Sequence, residues 1–276
     1  PYAIRFAKDL ELTAQLAPAG NPGLTVANWV KAQLDRGEDI RWQDLFQQSD
    51  TAYGGTQAQG KYTPKDAYDA LEAGVNLYLR SGNWKATETT AADARRAVAN
   101  LSRILDMIPT QSKRTAEMDE FQQFSTPPTY AYVANWAANV RWGETMLEPS
   151  AGIGGLAIFA DNGGAKLVLN ELSTRRAALL QGLFPNARHF TEDAAQIHNI
   201  LPDDIRPTVV VMNPPFSATA GRVQGKRDTM EGARHIEQAL KRLADRGRLV
   251  AIVGEGMADD RPAFREWWNR IKKEYN

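Results

Sequence analysis

Apolar positions along this chain keep two different periods, one before about residue 110 and another from about residue 146. In the first stretch they recur at the spacing of a helix face. Thr63 and Pro64 stand where an N-cap and a first helical residue belong, and Ala67, Leu71, Val75 and Leu79 follow at helical intervals. That pattern predicts a helix entered at Pro64. A second predicted helix runs from about residue 91 to 107, with Ala94, Val98, Leu101 and Leu105 on one face, and stops before Pro109. The Gly-rich stretch 53–60 between the two halves of this region reads as a loop. Trp29, Trp42 and Trp84 are expected in the core or between helices.

From about Met146 short apolar runs alternate with helical stretches. The runs 145–149, 166–171, 188–192, 208–212 and 248–253 read as strands, and helices start near Gly154, Ser173 and Glu231. Buried strands alternating with helices specify an α/β fold, a mainly parallel, doubly wound sheet with helices on both faces. The chain is expected to divide into a helical N-terminal region over 1–112 and a sheet domain over 113–276. It carries no internal repeat, no low-complexity tract and no long charge run.

Composition removes whole classes of chemistry. The 276 residues include 43% hydrophobic and 24% charged positions, an ordinary globular balance. With no cysteine, disulfide scaffolds, thiolate zinc sites, iron–sulfur clusters and cysteine nucleophiles are all excluded. Lys and Arg number 33 against 33 Asp and Glu, so the chain lacks the strongly basic signature of many nucleic-acid binders, although a local basic loop can serve instead. No apolar run approaches the ~18 residues of a membrane helix, and no secretory start is present. The chain begins at Pro1 rather than methionine and is expected to be a segment of a longer polypeptide.

In an open α/β sheet, ligands bind beyond the C-terminal ends of the strands. The first predicted strand ends in Glu148-Pro149-Ser150-Ala151-Gly152-Ile153-Gly154-Gly155, a turn whose glycines allow close approach to a ligand. Such a turn equally suits a dinucleotide or simple tight packing. The second ends at Glu171-Leu172, where a carboxylate can accept from a ribose diol or merely open the helix at Ser173. The third ends at Asp193-Ala194, placed to accept from an exocyclic amine or to cap a helix. The fourth delivers Asn213-Pro214-Pro215-Phe216. Consecutive prolines must end the strand at Asn213, leaving a side-chain amide, a stiff turn with free carbonyls and a flat ring. The Asn213 oxygen and the Pro214 carbonyl can accept the two N–H groups of an amine whose lone pair is delocalised, freeing that pair to attack. Phe216 can stack on a planar substrate, and a sulfonium methyl donor over the Gly-rich turn needs neither metal nor covalent intermediate.

These residues resemble the S-adenosylmethionine-dependent amino-methyltransferases, most closely the adenine-N6 DNA methyltransferases. Phe124-Ser125-Thr126-Pro127, upstream of the Gly-rich turn, is similar to that family's Phe-x-Thr-Pro motif and gives the gamma order of motifs. The resemblance covers about residues 118–256. It implies a Rossmann-like methyltransferase domain, truncated before its last strands, that binds S-adenosyl-L-methionine and no metal. Phe124, Thr126 and Pro127 then line the methionine end, with Glu148, Pro149, Ser150, Gly152 and Gly154 bordering it. Glu171 and Leu172 take the ribose, Asp193 and Ala194 the adenine, and Asn213, Pro214, Pro215 and Phe216 the target base. The implied partner is DNA, double-stranded with a flipped base or single-stranded, in the cytoplasm of a prokaryote or a phage setting. Arg222, Lys226 and Arg227, in a stretch expected to be a flexible loop, are expected to track phosphates or to be a solvated surface. A family aromatic of the next helix falls at His235 or Ile236, and His235 is expected to be an ordinary helix-face residue. Cytosine C5 chemistry is excluded by the absent thiol. Cytosine-N4, RNA guanine-N2 and protein glutamine-N5 transfer stay open, as does a silent docking module of a larger protein.

Overall fold

The computed structural model describes residues 20–82, 84–87, 89–109, 126–215, 222–223, 226–227 and 230–275, with only the backbone described for 222–223 and 226–227. Phe124, Ser125 and Phe216 lie outside the described residues.

Four helices come first. Helix α1 spans Pro22–Asp35, with the Asn21 side chain accepting from the N–H groups of Gly23 and Leu24. Helix α2 spans Trp42–Tyr53 and ends at Gly54, in the left-handed region at φ 69. Helix α3 spans Pro64–Ser81, and its start is the one the sequence predicts: Thr63 accepts from the Asp66 N–H while the Asp66 carboxylate accepts from the Thr63 N–H. Helix α4 spans Ala91–Asp106 under a Thr90 cap. Its buried face carries Ala94, Leu101 and Ile104 rather than Leu105, which is half-buried with Val98. The stretch expected to be loop holds the last residue of α2 and a single 3-10 turn at Gln57–Gln59. Trp42 departs from its expected packed position. It stands in the first turn of α2 at 57% exposure, its ring meeting only the edge of Phe46 among described aromatic neighbours.

The second half builds the sheet. Helix α5 spans Pro128–Ala138, followed by β1 (Thr145–Glu148), α6 (Ala157–Asn162), β2 (Lys166–Asn170), α7 (Thr174–Leu183) and β3 (Arg188–Phe190). Then come the short α8 (Ile197–Ile200), β4 (Val209–Met212), β5 (Arg222–Val223), β6 (Lys226–Arg227), α9 (Glu231–Arg242), β7 (Arg248–Ala251) and α10 (Pro262–Glu274). The main sheet has the order β3-β2-β1-β4-β7, and every pairing in it is parallel. Strands β5 and β6 pair antiparallel, Arg222 opposite Arg227 and Val223 opposite Lys226, so the expected flexible loop is a hairpin at these positions. The helix expected near Gly154 starts later, at Ala157, because Gly152 and Gly154 hold φ 58 and 81 and cannot propagate a right-handed helix.

Side-chain alternation along the strands divides the core in two. Met146, Leu169, Val209 and Val211 face the side where α1, α3, α5 and α6 pack. Leu147, Val168, Val210 and Met212 face the side of α9 and α10. The N-terminal helices thus supply one cover of the sheet rather than standing apart from it. Polar ties reinforce the seam: Asn76 Nδ2 donates to the Ile153 carbonyl at 2.8 Å, and Arg80 pairs with Asp161 at 2.6 Å. No described helix is long and apolar enough to cross a membrane.

Candidate functional site

Strand order reverses between β1 and β4, the switch point where α/β sheets bind ligands. A cavity of about 500 Å3 opens there, within the range of small-molecule sites. Its walls come from both halves of the chain. Helix α3 contributes Tyr68, Leu71, Glu72, Val75 and Asn76, residues that sequence reasoning assigned to no site.

The turn after β1 brings Glu148, Pro149, Ser150 and Gly152 to the cavity, while Gly154 is turned away from it. A Cβ on Gly154 would strike the Phe184 ring, so that glycine serves the packing of α7 against the turn. A Cβ on Gly152 would strike the Arg176 guanidinium, which lies against the turn and lines the cavity. Glu148 is buried, and its Oε2 has no partner among the described residues. Burial, reinforced by nearby Glu171, pushes its pKa well above the ordinary carboxylate value, against the opposing pull of the Ala157 N–H and Arg176.

Glu171 is no solvated helix opener. It is buried, with Oε2 accepting from the Gly152 N–H at 2.8 Å and Oε1 from the Ser173 N–H at 2.9 Å. Its carboxylate therefore holds the Gly-rich turn and the start of α7 together at the cavity. Leu172 beside it leaves an apolar face 49% exposed at the cavity wall. The preceding residue was missed by sequence reasoning. Asn170 Nδ2 donates to the carbonyls of Pro149 and Glu192, both at 2.8 Å, and its Oδ1 accepts from the Glu192 N–H at 2.8 Å. One amide thus staples the ends of three neighbouring strands. Arg176 was missed as well. Burial works against its charge, but Glu171, Asp69 and Glu72 outweigh that and hold it protonated.

Asp193 and Ala194 reach the cavity from the end of β3. Asp193 is exposed and caps the following 3-10 turn through the Ala195 N–H at 2.8 Å, so its role as a local cap is realised while it also lines the cavity. At the end of β4, Asn213 and Pro215 line the cavity and Pro214 is buried beside them. Asn213 Nδ2 donates to Thr126 Oγ1 at 2.9 Å, and its Oδ1 is buried with no partner among the described residues. Thr126 and Pro127 stand at the entry to α5 and also line the cavity, so residues far apart in sequence meet at one amide. His235 corrects its expectation. It is buried and lines the cavity rather than forming an ordinary helix face.

No protein-family model matches the chain, and no curated protein matches it. Solved structures with a similar chain path include a type I restriction-modification methyltransferase subunit from Streptococcus thermophilus, 14% identical over 96% of this chain and 62% of that chain, TM-score 0.48. This chain thus spans about three fifths of that subunit's length. A protein from Pyrococcus horikoshii, provisionally described as an RNA methyltransferase, is 17% identical over 65% of this chain and 82% of that chain, TM-score 0.47. A TehB-like SAM-dependent methyltransferase from Corynebacterium glutamicum is 14% identical over 66% and 84% respectively, TM-score 0.39. At these identities and scores the likeness carries no function to this chain.

Proposed function

We propose that this chain is an S-adenosylmethionine-dependent methyltransferase whose acceptor is the exocyclic N6 amine of adenine in DNA. Asn213 carries the reading. Its amide nitrogen donates to Thr126, which leaves a buried oxygen free to accept a hydrogen bond from a substrate N–H at the switch point. A buried acceptor left unpaired in the free protein stabilises a ligand donor that arrives there, because the desolvation has already been met in folding.

The residues present fit the cofactor by the chemistry of their donor set. Carboxyl groups stand at three successive strand ends: Glu148 as the last residue of β1, Glu171 just after β2 and Asp193 beyond β3. Glu171 and Asp193 suit a molecule that carries a diol in its middle and bears an amine at one end, while Glu148, which burial keeps protonated, closes the cavity behind them. Gly152 lines the cavity without a side chain of its own, and Leu172 offers an apolar face for a ring. When bound, S-adenosylmethionine supplies a methyl group on a positively charged sulfur.

The chain's own residues then do the rest. Glu171 accepts the ribose hydroxyls with the lone pairs left over from Gly152 and Ser173, and Asp193 accepts the adenine amine. Asn213 Oδ1 and the Pro214 carbonyl accept the N–H groups of the target amine, favouring the tetrahedral nitrogen that attacks. Phe216 stacks on the target base, and stacking of this kind is worth about 1–3 kcal/mol per base. A base inside a duplex must first leave the stack, at a cost of roughly a few kcal/mol. The basic residues Arg222, Lys226 and Arg227 on the β5–β6 hairpin hold the flanking phosphates. Incubation with methyl-labelled cofactor and DNA, RNA or protein, followed by mass analysis of the acceptor, tests the reading. Label in 6-methyladenine of DNA is expected; label confined to guanine of RNA or glutamine of protein overturns the acceptor assignment.

A further inference from the structure

His235 lies on the first turns of α9, one turn beyond Glu231, and both residues line the cavity. It is only 7% exposed, and its Nδ1 is buried with no partner among the described residues. Nothing in the packing of α9 requires a polar ring there. Its neighbours Ala233, Ile236, Ala239 and Leu240 form the apolar face of the helix on the sheet. A leucine would pack in such surroundings without stranding a nitrogen, so the imidazole is placed for something the cavity receives.

Which end of the cavity it serves follows from its neighbours. Helix α9 packs on the 3-10 turn Ala194–Gln196, the turn that Asp193 caps, and the Asp193 carboxylate acts electrostatically on the His235 ring. The ring therefore belongs to the β3 end of the cavity, where Asp193 stands. Burial pushes its pKa down to about 4, with Arg234 adding to that and Asp193 opposing it. At neutral pH the ring is uncharged, with one nitrogen able to donate and the other to accept.

We infer that His235 is a specificity residue for the nucleobase of the cofactor, its Nδ1–H donating to a ring nitrogen of the adenine whose exocyclic amine Asp193 accepts. The inference rests on the cofactor assignment made above and adds a second polar reader to the one carboxylate. A carboxylate alone recognises an amine; the pair recognises an amine together with a ring acceptor. A site built to hydrogen-bond a group rejects an analogue lacking that group far better than an apolar pocket does.

Calorimetric titration with S-adenosylhomocysteine and its 1-deaza, 3-deaza and 7-deaza forms tests this. The parent should bind one deaza form about tenfold more weakly than the unmodified compound, the loss of one hydrogen bond in a dry site. His235→Leu should bind the unmodified compound about tenfold more weakly than the parent and lose the discrimination, while His235→Asn, which keeps a nitrogen donor near the Nδ1 position, should retain it. His235→Phe, which keeps the ring volume, replaces the leucine variant should thermal melting show that variant unfolded. The same analogue ranking in the parent and in the apolar variant overturns the inference. So does an apolar variant that loses methyl transfer with its analogue ranking intact, since that places the histidine on the target base. Failure of the parent to bind the unmodified compound overturns the cofactor assignment itself, and this inference with it.

Discussion

The amide of Asn213 spends its nitrogen on Thr126 and presents its oxygen as the unpartnered group. With the hydroxyl oxygen accepting from Nδ2 at 2.9 Å, the oxygen is the group left for a ligand. Thr126→Val keeps the shape and removes the acceptor, so turnover should fall by about tenfold while cofactor affinity changes little, a split that kcat and KM read separately. Glu148 makes a different prediction, through pH. Its folded pKa is raised above the ordinary 4.5, so the folded state keeps a proton that the unfolded chain has released. The stability tied to that proton is fully present below 4.5 and is lost as pH climbs from there through the folded value. Glu148→Gln removes the titration, so the variant should melt above the parent at neutral pH, with the margin shrinking as pH falls toward 4.5. Equal melting temperatures across that span would show that Glu148 is not held protonated. At this scale the strand-end residues Glu148, Glu171, Asp193 and Asn213 were legible, because a parallel sheet meets its ligands at one end of every strand and the sequence shows where each strand stops. Asn170, Arg176 and His235 were not. A lone polar residue in a strand or helix has no period of its own, and its partners come from other elements.

Helix α3 shows the same limit one level up. Its cap and its apolar face, Ala67, Leu71, Val75 and Leu79, could be read from spacing alone. Its charged face could not. Lys65 and Asp69 sit one turn apart, a pattern that ordinarily marks a solvated surface, yet both are buried and paired at 2.9 Å. Helix α7 packs against α3, and its Arg175 pairs with Asp69 at 2.6 Å and with Asp66 at 2.9 Å across more than a hundred residues of sequence. Removing one member of a buried ion cluster leaves the others uncompensated, so Asp69→Asn should destabilise the fold by roughly 3–5 kcal/mol in denaturant titration. A loss within about 0.5 kcal/mol, the level of an ordinary surface change, would mean that the cluster does not hold α3 to α7. The β5–β6 hairpin carries a prediction of its own. Replacing Arg222, Lys226 and Arg227 with alanine should flatten the dependence of DNA affinity on salt, by about 0.9 in the log–log slope for each phosphate that the hairpin no longer neutralises. An unchanged slope would free the hairpin from that role.

For the molecule as a whole, alternation of strands and helices was enough to give the class, and the strand ends were enough to give the edge where the cavity opens. The order β3-β2-β1-β4-β7 and the use of the N-terminal helices as one cover of the sheet were not legible. Both depend on long-range packing, which a period along the chain does not encode. The consequence for function is direct, since α3 forms part of the cavity wall and ties its Asn76 to the Gly-rich turn. A balance of 33 basic against 33 acidic residues leaves the molecule without a general pull on nucleic acid. Any hold on DNA must then come from local groups and from the fit of one base at Asn213. The most direct test is therefore Asn213→Ala, assayed for methyl transfer to an adenine-containing oligonucleotide alongside calorimetry with S-adenosylhomocysteine. Turnover should fall by about 10²–10³-fold, the loss typical of one preorganised group at a reacting centre, with cofactor affinity little changed. Transfer at near-parent rate would contradict the account.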